Sequence, residues 1–314
     1  MSLDFQQPDF SNSNVDYDLP RISISQILGM LEEPFDKERV LELTYNKHFN
    51  NPDSQYYQKT KEEIAAMWEA KGAESRKYGC LLDDYIGYNL MSLPNAIELY
   101  KVENDFDNDK RLQGLCESFD NFYSVLSKSG DTVFVDREKS VYHKVKLQDP
   151  NDPTKEIVYN IKGRFDALFY NKRTKKWIVI DWKSSGTIDK VPNRWTKNLL
   201  GPMSKFPALN YWTYTTQLYF YKKTLVEDGY LPAGTSVDDV IVMIVNLPGK
   251  KIEELGTNFG THGPAYQYDT MLLNNLFEYA VKKDYAERLF EEAKKLQEAS
   301  KQAEEQQNLL DSIF

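Results

Sequence analysis

The apolar positions of this chain change period twice. They follow helical spacing through the N-terminal third, turn strand-like from Asp131 to Lys183, and return largely to helical spacing after Asn210. In the first part, Ile22-Ser23-Ile24-Ser25-Gln26-Ile27-Leu28 predicts a helix start with Ser25 as its N-cap. From Lys59 to about Leu93 the pattern is helical, with Ile64, Met67 and Trp68 on one face. A separate second helix is expected from Tyr78 to about Leu90, and Pro94 supplies the stop. Asn108 to Lys128 reads as an amphipathic helix through Leu112, Leu115, Cys116, Phe119, Tyr123 and Leu126.

The strand-like part opens with Thr132–Val135 and Val141–Val145 around a turn at Asp136-Arg137-Glu138-Lys139. A further turn near Asp149–Pro153 leads through Ile157-Val158-Tyr159 to two β-branched and aromatic runs, Gly163–Phe169 and Trp177–Lys183. The polar, basic Tyr170–Lys176 between them predicts a hairpin loop. Beyond a proline-rich connection, Asn210–Leu225 reads as a helix, and the almost uniformly apolar Asp239–Asn246 as a buried strand of the same sheet. The glycines of Leu255–Gln267 suggest a loop, and a long helix is expected from about Asp269.

The 314 residues are 41% hydrophobic and 13% aromatic, enough for a substantial core, with 28% charged. Residues 1–20, polar and without a sustained period, are expected to form a disordered or loosely docked arm. A domain over residues 21–290 and a charged helical tail over 291–314 would follow. No run approaches a membrane span and no signal-peptide pattern opens the chain, so the expectation is a cytoplasmic protein without membrane contact. Nothing suggests a coiled-coil seam, and a monomer is the default. The two cysteines, Cys80 and Cys116, cannot supply a four-cysteine iron–sulfur cluster or a disulfide framework.

Acidic residues on an otherwise buried hairpin are the first sign of chemistry. Asp166 and Asp181 would stand on adjacent antiparallel strands, and Lys183 shares the face of Asp181 because strand side chains alternate. Two carboxylates and an ammonium suit a hard cation such as Mg²⁺ or Mn²⁺, one or two ions, acting on a phosphodiester. The net charge of −9 argues against a passive DNA-coating protein. It does not argue against a metal-dependent nuclease, whose acids are ligands. Local cations remain as DNA-contact candidates: Lys175 in the hairpin loop, and Arg194 beside the stacking-competent Trp195 in the long connection.

Asp166 followed by Asp181-Trp182-Lys183 across a short hairpin resembles the PD-(D/E)XK nuclease signature. The fuller run Gly-Arg-Phe-Asp…Val-Ile-Asp-Trp-Lys-Ser-Ser resembles the RecB-like exonuclease branch, which includes a mitochondrial genome-maintenance exonuclease and phage and viral members. Gln217 and Tyr221, four apart on one helix face, resemble the Gln-x-x-x-Tyr motif of that branch. Gly79 and Asp83 fall where the branch carries Gly-x-x-x-His, with aspartate in place of histidine and Asp84 as its neighbour. Glu138 resembles the acidic residue that often precedes the central hairpin.

The resemblance implies an α/β fold with a restriction-endonuclease-like core, a central mixed sheet flanked by helices. It also implies a Mg²⁺- or Mn²⁺-dependent DNA exonuclease acting on single-stranded or end-bearing DNA in phage replication, recombination or repair. Asp83, Asp166, Asp181 and the Trp182 carbonyl would hold the metal, Lys183 would act on water or phosphate, Gln217 would hydrogen-bond the site, and Tyr221 would contact DNA or brace it. The terminal Gln307-Asn308-Leu309-Leu310-Asp311-Ser312-Ile313-Phe314 resembles peptides that hook onto sliding clamps, with Gln307, Leu310, Ile313 and Phe314 as contacts. A structure-selective endonuclease and a non-cleaving DNA-end or clamp adaptor are the alternatives.

Overall fold

The structure, a computed structural model, describes residues 5–11, 15–149, 151–184, 188–247, 261–264 and 270–313, with side chains left aside in 261–270, at 300 and from 303 onward. Strand β1 (Arg21–Ser23) leads into α1 (Ile24–Gly29), followed by helices α2 (Lys37–His48), α3 (Lys61–Leu90), α4 (Pro94–Glu103) and α5 (Lys110–Ser127). Strands β2 (Thr132–Arg137), β3 (Ser140–Gln148), β4 (Glu156–Arg164), β5 (Ala167–Asn171) and β6 (Lys176–Lys183) come next. Helix α6 (Asn210–Glu227), strands β7 (Val240–Asn246) and β8 (Thr261–Pro264), and helix α7 (Thr270–Ile313) complete the chain. Among the described residues, no helix is long and apolar enough to cross a membrane.

The strands form two mixed sheets rather than the single central sheet expected, ordered β1-β4-β3 and β2-β5-β6-β7-β8. The split arises from one kinked antiparallel ribbon. On one side of the kink Ser140 faces Arg164, and on the other Arg137 faces Ala167. Residues 138–139 and 165–166 therefore lie opposite each other where both strands leave one sheet for the other. The turn predicted at Asp136–Lys139 is thus a crossing between sheets, and Gly163-Arg164 belong to β4, not to the hairpin strand. Parallel pairing of β6 with β7 requires a crossover, which α6 supplies.

Apolar residues of the five-stranded sheet alternate between two cores. Leu168 and Val179 join Ile161, Phe220, Leu276 and Phe277 on one face, together with α1, α6 and α7. Ala167, Phe169, Ile178, Ile180 and Trp182 face Leu82, Ile86, Leu115 and Phe119 of α3 and α5 on the other. Helix α6 is buried on most of its surface, which leaves little room at its closest approach to β4. A Cβ added at Gly163 would lie 2.4 Å from Phe220 and 2.5 Å from Tyr221 ring carbons.

Several local expectations change. Ser23, not Ser25, caps α1: its hydroxyl accepts from the Gln26 amide while Gln26 Oε1 accepts from the Ser23 amide. One continuous helix replaces the two expected between Lys59 and Leu93, because no proline interrupts it and its interior glycines cost only about 1 kcal/mol each. Pro94 starts α4 instead of stopping α3, at a helix position whose N–H has no partner anyway. The chain turns just before it, at Ser92, with φ of 55°. Within the N-terminal arm, Phe5 packs against Tyr170 and Trp177, and Phe10 against Phe165 and Tyr230. Thr261–Pro264 forms an edge strand inside the predicted loop.

Gly163→Ala is expected to destabilise the protein by about 1–3 kcal/mol through overpacking between β4 and α6, read as a fall in the denaturation midpoint.

Candidate active site

Both crossings of the kinked ribbon carry a carboxylate. Asp166 lies between β4 and β5, and Glu138 lies between β2 and β3, with its amide donating to the Asp166 carbonyl at 3.3 Å. Glu138 adopts φ of 53°, a left-handed conformation that an L-residue holds only when its surroundings demand it. Next to them, at the C-terminal end of β6, Asp181 and Lys183 occupy the same strand face, as their spacing predicts. Lys183 Nζ lies 2.6 Å from Asp181 Oδ2.

Asp181 is 1% exposed, and its Oδ2 atom meets the Lys183 ammonium in a close ion pair. Asp166 Oδ2 accepts from the Trp182 amide at 2.7 Å. Burial pushes the Asp166 carboxyl well above the ordinary carboxylate range, and the nearby Asp181 charge adds to the effect. Burial also raises Asp181, with Lys183 opposing. For Lys183, burial works against the charge, but Asp181 and Asp166 outweigh it and hold the ammonium above its usual value. Its ammonium also lies 4.6 Å from the Tyr214 ring centroid, a cation–π contact.

Asp166 and Lys183 line a cleft of about 410 Å³ whose walls also include Gly79, Asp83 and Asp84 of α3, Glu138 and Arg164. Asp83 therefore reaches the same cleft as Asp166, and so does Asp84. The Asp83 carboxylate is engaged there by Arg137, whose Nη2 donates to Oδ1 at 2.8 Å. Glu138 pairs with Arg164 Nε at 2.7 Å, and burial followed by the Asp83 charge raises its carboxyl above the usual range.

Helix α6 supports this assembly from behind. Tyr221 is 1% exposed; its hydroxyl donates to the Arg164 carbonyl at 2.7 Å and accepts from Gln217 Nε2 at 2.8 Å. Tyr221 thus braces the ribbon beside Asp166 and has no surface to offer a DNA strand. Gln217 reaches the site through Tyr221. The Trp182 ring is turned into the core, edge-on to Phe119 and Phe122.

The remaining predicted residues lie elsewhere. Lys175 is a turn residue beyond the opposite end of β6, eight residues or roughly 25 Å from Lys183, and lines a separate cleft with Phe5, Tyr170 and Trp177. Arg194 stacks on Trp195 at 4.6 Å in the long connection, with Trp195 77% exposed and neither lining the cleft. Side chains of Gln307, Leu310, Ile313 and Phe314 are outside the described residues. The pattern of residue types passed over Arg137, Arg164 and Tyr214. Arg164 was signalled by its place two residues before Asp166, whereas Arg137 and Tyr214 carry no signal beyond their neighbourhood.

Among the described residues, no three His, Cys, Asp or Glu side chains are grouped tightly enough to hold a metal ion as they stand. The donor chemistry nevertheless fits a hard divalent cation. Asp83, Asp84, Glu138 and Asp166 line the cleft beside Arg164 and Lys183, with Asp181 buried next to it against Lys183. No protein-family model matches the chain, and no curated protein matches it significantly.

Since ionising Asp166 beside Asp181 is disfavoured in the folded state, Asp166→Asn should raise the denaturation midpoint in metal-free buffer at neutral pH. The asparagine oxygen still accepts from the Trp182 amide. Tyr221→Phe should cost about 1–2 kcal/mol, because the partly buried Arg164 carbonyl loses its donor, whereas exposed Trp195→Ala should change stability by less than about 0.5 kcal/mol.

Proposed function

We propose that this chain is a divalent-cation-dependent DNA nuclease of the PD-(D/E)XK type, of the RecB-like exonuclease branch. The observation that carries the reading is the convergence of Asp166, Asp181 and Lys183 at one end of β6, with Asp181 buried and Asp166 and Lys183 lining an open cleft. Convergence of these residue types is expensive for a core and is the arrangement that hydrolysis of a phosphodiester needs. A structural ion pair with Lys183 would require one acid, whereas here the Asp181 charge also acts on Asp166.

Asp166 and Asp181, with Asp83 from α3 and the Trp182 carbonyl, would hold Mg²⁺ or Mn²⁺. When bound, the cation supplies Lewis-acid stabilisation of the phosphate and an activated water. The chain's own residues do the rest. Lys183, fixed by Asp181 on one side and by the Tyr214 ring on another, keeps its proton and presents a cation to the phosphate or to the attacking water. Asp166 is oriented by the Trp182 amide, so that its other oxygen is free for the site. Tyr221 and Gln217 fix the ribbon from which Asp166 projects, which keeps the carboxylates in register during turnover. Arg194 and Trp195, exposed together, offer a guanidinium and a ring to a single strand approaching the cleft.

The test is a cleavage assay with Mg²⁺ or Mn²⁺ on end-labelled linear single strands, linear duplex and covalently closed circles. Metal-dependent loss of linear DNA with circles spared is expected, and Asp181→Asn and Lys183→Ala should each lower the rate at least about 10³-fold while circular dichroism stays native. Cleavage of closed circles would turn the reading to an endonuclease. DNA binding without turnover on any substrate would overturn it in favour of an adaptor.

A further inference from the structure

The contact between Asp83 and Arg137 is built with unusual care for a surface ion pair. Asp83 stands on α3 and Arg137 ends β2, so the pair ties the helical layer to the edge of the five-stranded sheet at the mouth of the cleft. The arginine side chain is only 15% exposed, against 43% for the aspartate. One turn after Asp83 on α3 comes Gly87, buried, and the guanidinium rests directly on its backbone. A Cβ there would stand 1.4 Å from Arg137 Nη1 and 2.7 Å from its Cζ. The glycine leaves the space into which Nη1 points end-on, where a Cβ would otherwise stand, while Nη2 donates to Asp83 Oδ1. Asp83 Oδ2 makes no hydrogen bond among the described residues, and the Asp83 residue borders the cleft shared with Asp166 and Glu138.

We infer that Arg137 is a positioning residue: seated on the bare Cα of Gly87, it fixes one oxygen of Asp83 so that the other is presented to a divalent cation in the cleft. The inference rests on the cation-dependent reading above. Hydrogen bonds to a ligating carboxylate hold it in its binding orientation, and losing such a partner commonly weakens metal affinity 10–100-fold. The sign of the effect separates this role from simple electrostatics. If Arg137 acted only as a nearby positive charge, its removal would tighten cation binding. If it positions Asp83, its removal weakens binding despite the charge lost.

Mn²⁺ binding to the full chain, followed by the electron paramagnetic resonance of the free ion, tests this without relying on cleavage. Arg137→Gln and Gly87→Ala are expected to weaken binding about tenfold or more, matching Asp83→Asn, and Arg137→Lys should recover part of the loss. Adding Arg137→Gln to Asp83→Asn should cost nothing further. Thermal denaturation alongside identifies any variant that fails to fold, and Arg137→Gln carries the test if Gly87→Ala does so. Unchanged or tighter binding in Arg137→Gln, or unchanged binding in Asp83→Asn, overturns the inference. Wild-type protein that binds no Mn²⁺ removes the cation-dependent reading itself, and this role with it, a result visible before any variant is made.

Discussion

Two neighbouring carboxylates, Asp181 buried and Asp166 half-buried at a cleft, repel each other, and the architecture around β6 answers that constraint. Asp166 and Asp181 are both pushed toward their neutral forms by burial. What holds them is a short set of fixed partners: the Lys183 ammonium on Asp181 and the Trp182 amide on Asp166. Each partner comes from the strand that carries Asp181, so the site's electrostatics depend on the registration of one strand against its neighbours. That registration is set from both sides, by antiparallel β5 and parallel β7, with apolar alternation feeding two separate cores.

The second layer of support is a backbone matter. At the end of β4, where the ribbon kinks, the partly buried carbonyl of Arg164 accepts from the Tyr221 hydroxyl. Helix α6 can deliver that hydroxyl only by coming very close to β4, and the absence of a side chain at Gly163 permits the approach. Gly87 has the same part on the opposite wall, where α3 admits the Arg137 guanidinium. In both places a missing Cβ lets a side chain from another element reach its acceptor, the Arg164 carbonyl for Tyr221 and the Asp83 carboxylate for Arg137.

Much of this was legible in the sequence because alternation along a strand is a strong signal. The runs around Asp166 and Asp181, the shared face of Asp181 and Lys183, the buried β7 strand and the Gln217–Tyr221 spacing on a helix all follow from periods of two and 3.6. The kink was not legible. Gly163 to Phe169 is uniformly strand-like in composition, and only pairing with β3 on one side and β2 on the other divides it between two sheets. The same long-range pairing turned the Asp136–Lys139 segment from a hairpin turn into a crossing. Lys175 illustrates the other limit: it is near Asp181 in sequence, but an extended strand carries it to the far end of the sheet. Arg137 and Gly87, 50 residues apart in sequence, meet only through tertiary packing, and nothing local marks either one.

The kink also determines where the chain can change length. Because residues 138–139 and 165–166 face each other at the crossing, one residue gained or lost in either would shift every downstream pair by a step and turn its side chains to the opposite face. Asp166 would then exchange places with a core residue. The loop that closes the ribbon at 149–155, and the turn at 171–176 that joins β5 to β6, lie at the far ends of these strands and carry no such burden. Length variation should therefore accumulate at the ribbon's tips and be excluded from its middle, a pattern of tolerance set by geometry before any demand of chemistry is added.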